Sequence, residues 1–70
     1  MTEPICCPLT PRQLQALGLV ARGMLLKQAA REMGISEQTL KNHMWHIHRR
    51  LGTHTQAHAV YIALTNGWIE

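Results

Sequence analysis

The chemistry of this 70-residue sequence is concentrated between positions 38 and 49. Gln38, Lys41, Asn42, Trp45, His48 and Arg49 recur there three or four residues apart, the spacing that stacks side chains on one face of an α-helix. His43, His46 and Arg50 flank that face, and Glu37 is the only acid in the stretch. Lysine and arginine suit phosphate oxygens or guanine, and asparagine and glutamine suit adenine. A helix bearing all of these on one exposed stripe meets the requirements of major-groove entry. The remaining face carries Leu40, Met44, Ile47 and Leu51, at spacings of four, three and four, and is expected to be core. Periodicity and charge leave a second reading open, in which the basic face of a small all-α domain is only solvated.

The elements that position this face can be read around it. Ser36 is an N-cap whose hydroxyl accepts from a first-turn N–H, and Ile35 with Leu40 fits a hydrophobic staple. These set a helix over residues 37–51. Upstream, a short helix beginning near Lys27 holds Gln28, Ala29, Ala30, Glu32 and Met33; its small alanines allow the second helix to cross closely. Gly34 lies where the chain must turn through a left-handed conformation. Two helices joined by a turn of about four residues have the spacing of a helix-turn-helix.

Two more helices are expected. Thr10 caps the first, Pro11 stands at its first position, Gln13 completes a capping box, and Leu9 with Leu14 forms a staple. Leu14, Leu17, Val20 and Ala21 supply its apolar face, and Gly23 ends it. Met24, Leu25 and Leu26 stand where a polar cap is usual. They are either buried between helices or exposed for a partner, and burial of at least one is expected. Lys27 opposes the macrodipole at a helix start, a conflict that a nearby anion relieves. Past the stop at Gly52, Thr55 caps a last helix over about 56–65, closed by Asn66-Gly67. Its residues Ala57, Ala59, Val60, Tyr61, Ile62, Ala63 and Leu64 are apolar nearly all the way round. One small core cannot cover every side of such a helix. Helix-on-helix dimerisation through Ala57, Val60, Tyr61 and Leu64 is the simplest cover, and packing by the N-terminal segment is the alternative.

Composition bounds the rest. At this length about 60% of the unfolded chain's surface can be buried, so one domain is expected and association would help it. A hydrophobic content of 46% with 16% charged residues argues against disorder. The net charge of +3 is small but localised, which favours a polyanionic partner or an acidic protein surface. No apolar run approaches the ~20 residues of a membrane span, and the start lacks the basic region and apolar core of a signal peptide; the expected compartment is the cytoplasm. The expected organisation is a flexible lead-in over 1–8 and one domain over 9–70. Cys6 and Cys7 are adjacent and do not readily bridge each other, so reduced thiols are expected.

Catalysis needs a nucleophile, a base and an orienting group brought together, and no phosphate loop, H-E-x-x-H run or serine elbow is present. His54 with His58, or His43 with His46, would bind a metal only with a third ligand from elsewhere. The sequence therefore implies no enzyme, no metal and no cofactor. Histidines beside phosphates would favour binding as pH falls, because the charged form is the one DNA prefers.

LTPRQLQALGLVARG, KQAAREMGISEQTLKNHMWHIHRRLG and AVYIALTNGWI, taken together, resemble the LuxR-type (GerE-like) DNA-binding domain of bacterial transcription regulators over Leu9 to Ile69. The landmarks L-T-P-R, A-x-G, K-x-x-A, G-I-S-x-x-T-x-K-x-H and R-L-G occur in the family's order. The resemblance implies an all-α, compact four-helix bundle that binds duplex DNA as a homodimer and regulates transcription. It implies base-reading positions at Lys41, Asn42 and Trp45. Phosphate contacts are implied at Lys27, Ser36, Thr39 and His43, with Gln38 and Arg49 as further candidates. Contact with RNA polymerase is a further partner of that kind. Gln13 and Gln15 depart from the acids usual in the family, Leu25 and Leu26 from its polar cap, and Trp45 is unusual on a groove-facing helix. The expected form is a free-standing module, without the receiver or ligand-binding domain that most members carry ahead of the motif, whose activity would follow its own concentration or a partner. A rival reading is a small anti-activator that heterodimerises with a larger LuxR-type regulator.

Overall fold

A computed structural model describes residues 7–69, which form four helices: α1 (Pro11–Ala21), α2 (Leu26–Met33), α3 (Glu37–Leu51) and α4 (Gln56–Thr65). Each start has a local cause. Thr10 accepts from the Gln13 N–H while Gln13 Oε1 accepts from the Thr10 N–H at 3.0 Å, a complete capping box. Ser36 and Thr55 cap α3 and α4 through the N–H groups of Thr39 and His58. The start of α2 differs from expectation, because the helix begins at Leu26 with Leu25 as its N-cap. Leu25 has no side-chain oxygen to offer. Gln28 compensates in part, its Oε1 accepting from the Leu25 N–H at 2.9 Å.

The turn between α2 and α3 is closed by Gly34 at φ +71. Its N–H donates to the Arg31 carbonyl and the Ile35 N–H reaches back to Ala30 at 3.0 Å, a glycine-stopped helix end that satisfies carbonyls otherwise left bare.

Two apolar clusters hold the helices. Leu9, Leu17, Met44, Ile47, Ala59 and Ala63 are buried between α1, α3 and α4. Ala16, Leu19, Ala29, Ala30, Met33 and Leu40 are buried between α1, α2 and α3. Helices α1 and α3 serve both clusters, whereas α2 and α4 do not touch each other among the described residues. The apolar stripe of α3 is core as expected, with Leu40, Met44 and Ile47 buried and Leu51 half-buried. The apolar face of α1 is wider than the expected stripe. Ala16, Leu17 and Leu19 are buried, while Leu14, Val20 and Ala21 are half-buried. A helix facing neighbours on two sides needs more than one stripe.

Of the Met24–Leu26 link, Leu26 packs against both clusters and Met24 against the second, while Leu25 is exposed. Residues 1–6 of the expected lead-in, Cys6 among them, lie outside the described residues. Cys7 is a free thiol packed against the first cluster. The Pro8 carbonyl accepts from Arg50 Nη1 at 3.0 Å. Trp68 and Ile69 fold back onto the same cluster beyond α4. No described helix is long and apolar enough to cross a membrane.

Candidate nucleic-acid interface

Helix α3 is held from behind by both clusters, which leaves its polar stripe facing out. Gln38, Lys41, Asn42, Trp45 and Arg49 are all exposed, Trp45 at 55% despite its size. Their order along the helix is amide, lysine, amide, aromatic, arginine. Gln38 Nε2 donates to Asn42 Oδ1 at 3.3 Å, one turn apart, which ties the two amides into one donor–acceptor array. Further along, the Arg49 guanidinium lies over the Trp45 ring, 4.9 Å from its centroid. That ring also meets His46 edge-on at 5.0 Å.

At the N-terminal end of α3, Ser36 and Thr39 form a closed pair. The Ser36 hydroxyl accepts from the Thr39 N–H at 3.1 Å and donates to Thr39 Oγ1 at 2.9 Å. His43 is half-buried on the flank, and Lys27 is exposed in the first turn of α2. The first turn of α2 has no side-chain cap and no acid, so its N–H groups and Lys27 present uncompensated positive charge.

Some of the basic residues have structural work as well. His48, Arg49 and Arg50 occupy the last turn of α3, where cations complement the helix dipole. Arg50 is turned to Pro8. His48 is only half-exposed, its Nδ1 2.7 Å from Oγ1 of the buried Thr53. It braces the corner between α3 and α4 and so leaves the outward face on which the spacing set it.

Sequence reasoning missed Gln28 as a cap, Thr53 as the partner of His48, and Arg12. The Arg12 Nη2 donates to the Met33 carbonyl at 3.4 Å, and its Nη1 donates to Gln15 at 3.0 Å. Arg12 thus links α1 to the last residue of α2, beside the Gly34 turn. A cation in the first turn of a helix opposes the dipole, and that misfit was the available signal.

Helix α4 buries Ala59 and Ala63 completely. Of the four residues expected at a second surface, Ala57, Tyr61 and Leu64 are exposed, the last two at 64% and 47%. Val60 is half-buried and packs against the first cluster.

The family model described as "Bacterial regulatory proteins, luxR family" matches residues 7–63. The transcriptional regulatory protein MctR of Rhizobium johnstonii is 37% identical over 63 residues, 90% of this chain and 29% of that protein. The transcriptional regulatory protein YdfI of Bacillus subtilis is 34% identical over 59 residues, 84% of this chain and 28% of that protein. The HTH-type transcriptional activator RamA of Corynebacterium glutamicum is 42% identical over 55 residues, 79% of this chain and 20% of that protein. The chain therefore spans less than a third of the length of these relatives.

Proposed function

The chain belongs to the luxR family of bacterial regulatory proteins, and on that premise we propose that it inserts α3 into the major groove of duplex DNA and regulates transcription as a dimer joined through α4. Regulation of transcription is what the relatives' names share, and membership of the luxR family supports regulation through DNA binding. The observation that carries the finer reading is the exposed stripe Gln38, Lys41, Asn42, Trp45 and Arg49 on a helix whose other face is locked in the core. A rigid support of this kind lets short-range contacts to base edges be made in one register.

In this reading Lys41, Asn42 and Trp45 meet base edges. The Lys41 ammonium suits guanine O6 and N7, the Asn42 amide suits adenine, and the edge of Trp45 suits a thymine methyl. Lys27, Ser36, Thr39 and His43 face the phosphate backbone, with Gln38 and Arg49 beside them. Support comes from the exposed Ser36–Thr39 hydroxyl pair and from the start of α2 beside Lys27, which has no side-chain cap. An anion there satisfies first-turn N–H groups and removes the conflict between Lys27 and the dipole.

Dimerisation rests on Tyr61 and Leu64, large apolar side chains left exposed next to Ala57 on the outer side of α4. A second copy on this face places two α3 helices about a two-fold axis, for which a two-fold symmetric DNA site is expected.

The test is fluorescence anisotropy of a labelled mixed-sequence duplex titrated at several salt concentrations, followed by selection of the preferred site. Affinity falling steeply with salt and a palindromic selected site are expected. Folded protein that binds no duplex even at low salt overturns the reading.

A further inference from the structure

Beside the C-terminal half of α3 lies an open hollow of about 390 Å³ lined by Trp45, His48, Arg49, Gly52, Thr53 and His54. Among the described residues no carboxylate lines it, and its walls combine an aromatic ring with an arginine and two imidazoles. The Arg49 guanidinium lies against the face of the Trp45 ring, 4.9 Å from the centroid. A long, exposed arginine ordinarily samples many rotamers, and fixing it on binding costs conformational entropy. Stacking on an indole face restrains the plane of the guanidinium while leaving its edge donors free.

We propose that Trp45 and Arg49 act as one phosphate-binding unit. The face of the indole holds the guanidinium over the hollow, and the hollow receives one DNA phosphate with its deoxyribose against the apolar wall. Arg49 makes the contact and Trp45 is its positioning residue, whatever its exposed edge does in the groove. This inference rests on the DNA-binding reading above. Charge complementarity favours the nucleic acid, since the hollow carries the Arg49 guanidinium and, among the described residues, no acid, and it is continuous with the stripe that begins at Gln38 and Lys41.

The unit is testable in two arms that separate its failure from that of DNA binding. Without DNA, the Arg49 δ-methylene and Nε–H proton resonances are expected upfield in wild type through the indole ring current, and near ordinary values in Trp45→Leu. Unchanged resonances in Trp45→Leu overturn the pairing even if DNA binding is strong. With DNA, Arg49→Ala is expected to lower the slope of log affinity against log salt by about 0.9, the loss of one phosphate contact.

Trp45→Leu and Arg49→Ala are then combined in a double-mutant cycle. The double variant is expected to bind about two- to fivefold better than the product of the single losses predicts, the range of an exposed cation–π pair. Trp45→Phe is expected to retain most of that coupling. Additive losses, or an Arg49→Ala protein with the wild-type salt slope, overturn the unit while leaving the DNA-binding reading intact. Wild-type protein that binds no duplex at low salt removes the premise and the inference together. Both substituted side chains, Trp45 and Arg49, are on the surface, and circular dichroism checks that the variants are folded.

Discussion

Helices α3 and α4 solve the same problem, burying one side of a helix, with opposite leftovers. Helix α3 buries Leu40, Met44 and Ile47 and leaves out amides, cations and one indole. Helix α4 buries only Ala59 and Ala63 and leaves out Ala57, Tyr61 and Leu64. The difference lies in what each exposed face can gain from a partner. A cationic, amide-bearing face gains from a polyanion by releasing counterions and by matching base edges. An apolar face gains only by leaving water, for which another apolar surface suffices. The described residues thus present two surfaces of distinct chemistry, one on α3 and one on α4.

The largest effect is expected from removing what the two helices share. Ile47 is fully buried between α1, α3 and α4. Ile47→Ala is expected to cost about 2–5 kcal/mol in urea-induced unfolding, a large part of the stability of a small domain. A loss below about 1 kcal/mol would show that the α3–α4 seam is not the centre of the fold.

Next comes the leftover face of α4. Tyr61→Glu is expected to abolish dimers in analytical ultracentrifugation, because a carboxylate unpaired inside an apolar interface is heavily penalised. Tyr61 is 64% exposed in the single chain, so unfolding of the monomer is expected to change by no more than about 0.5 kcal/mol. A mutant that sediments as wild type would count against α4 as the dimer surface.

The leftover face of α3 should respond in binding rather than in stability. Lys41→Ala is expected to relax specificity at one base position by about 1–3 kcal/mol, read by competition with single-base variants of the selected site. Unchanged affinity and preference would take Lys41 out of the interface. The smallest effect is expected at the start of α2. Leu25→Ser supplies the missing side-chain acceptor, and thermal unfolding should report a gain of about 1 kcal/mol. No gain would indicate that the Gln28 contact already meets the need of that helix end.

Much of the molecule was legible before its structure. Thr10, Ser36 and Thr55 were readable as caps because an N-cap acts through its own first turn, a matter of three residues. The stripe Leu40, Met44, Ile47 and Leu51 was readable because helical periodicity projects one face from spacing alone. By the same rule the exposed stripe from Gln38 to Arg49 could be drawn in advance. The start of α2 was misjudged by one residue, since Leu25 has no capping side chain to announce it.

Contacts between distant residues were not legible. Arg12 reaching Met33, Arg50 reaching Pro8, and Trp68 and Ile69 closing over the first cluster join parts of the chain that no local pattern relates. The withdrawal of His48 toward Thr53 and the stacking of Arg49 on Trp45 belong here as well. Spacing says that two side chains share a face but not which rotamers they adopt there.

By itself the sequence determined the four helices, their ends apart from the start of α2, and the polar or apolar character of each face, because these follow from interactions within a turn or two of helix. Only the tertiary structure decided which apolar residues stay exposed once the core is full, with Val60 drawn inward while Tyr61 and Leu64 remain out. Burial depends on the neighbours available on all sides of a residue, and those neighbours are set by how α1 and α3 share two clusters.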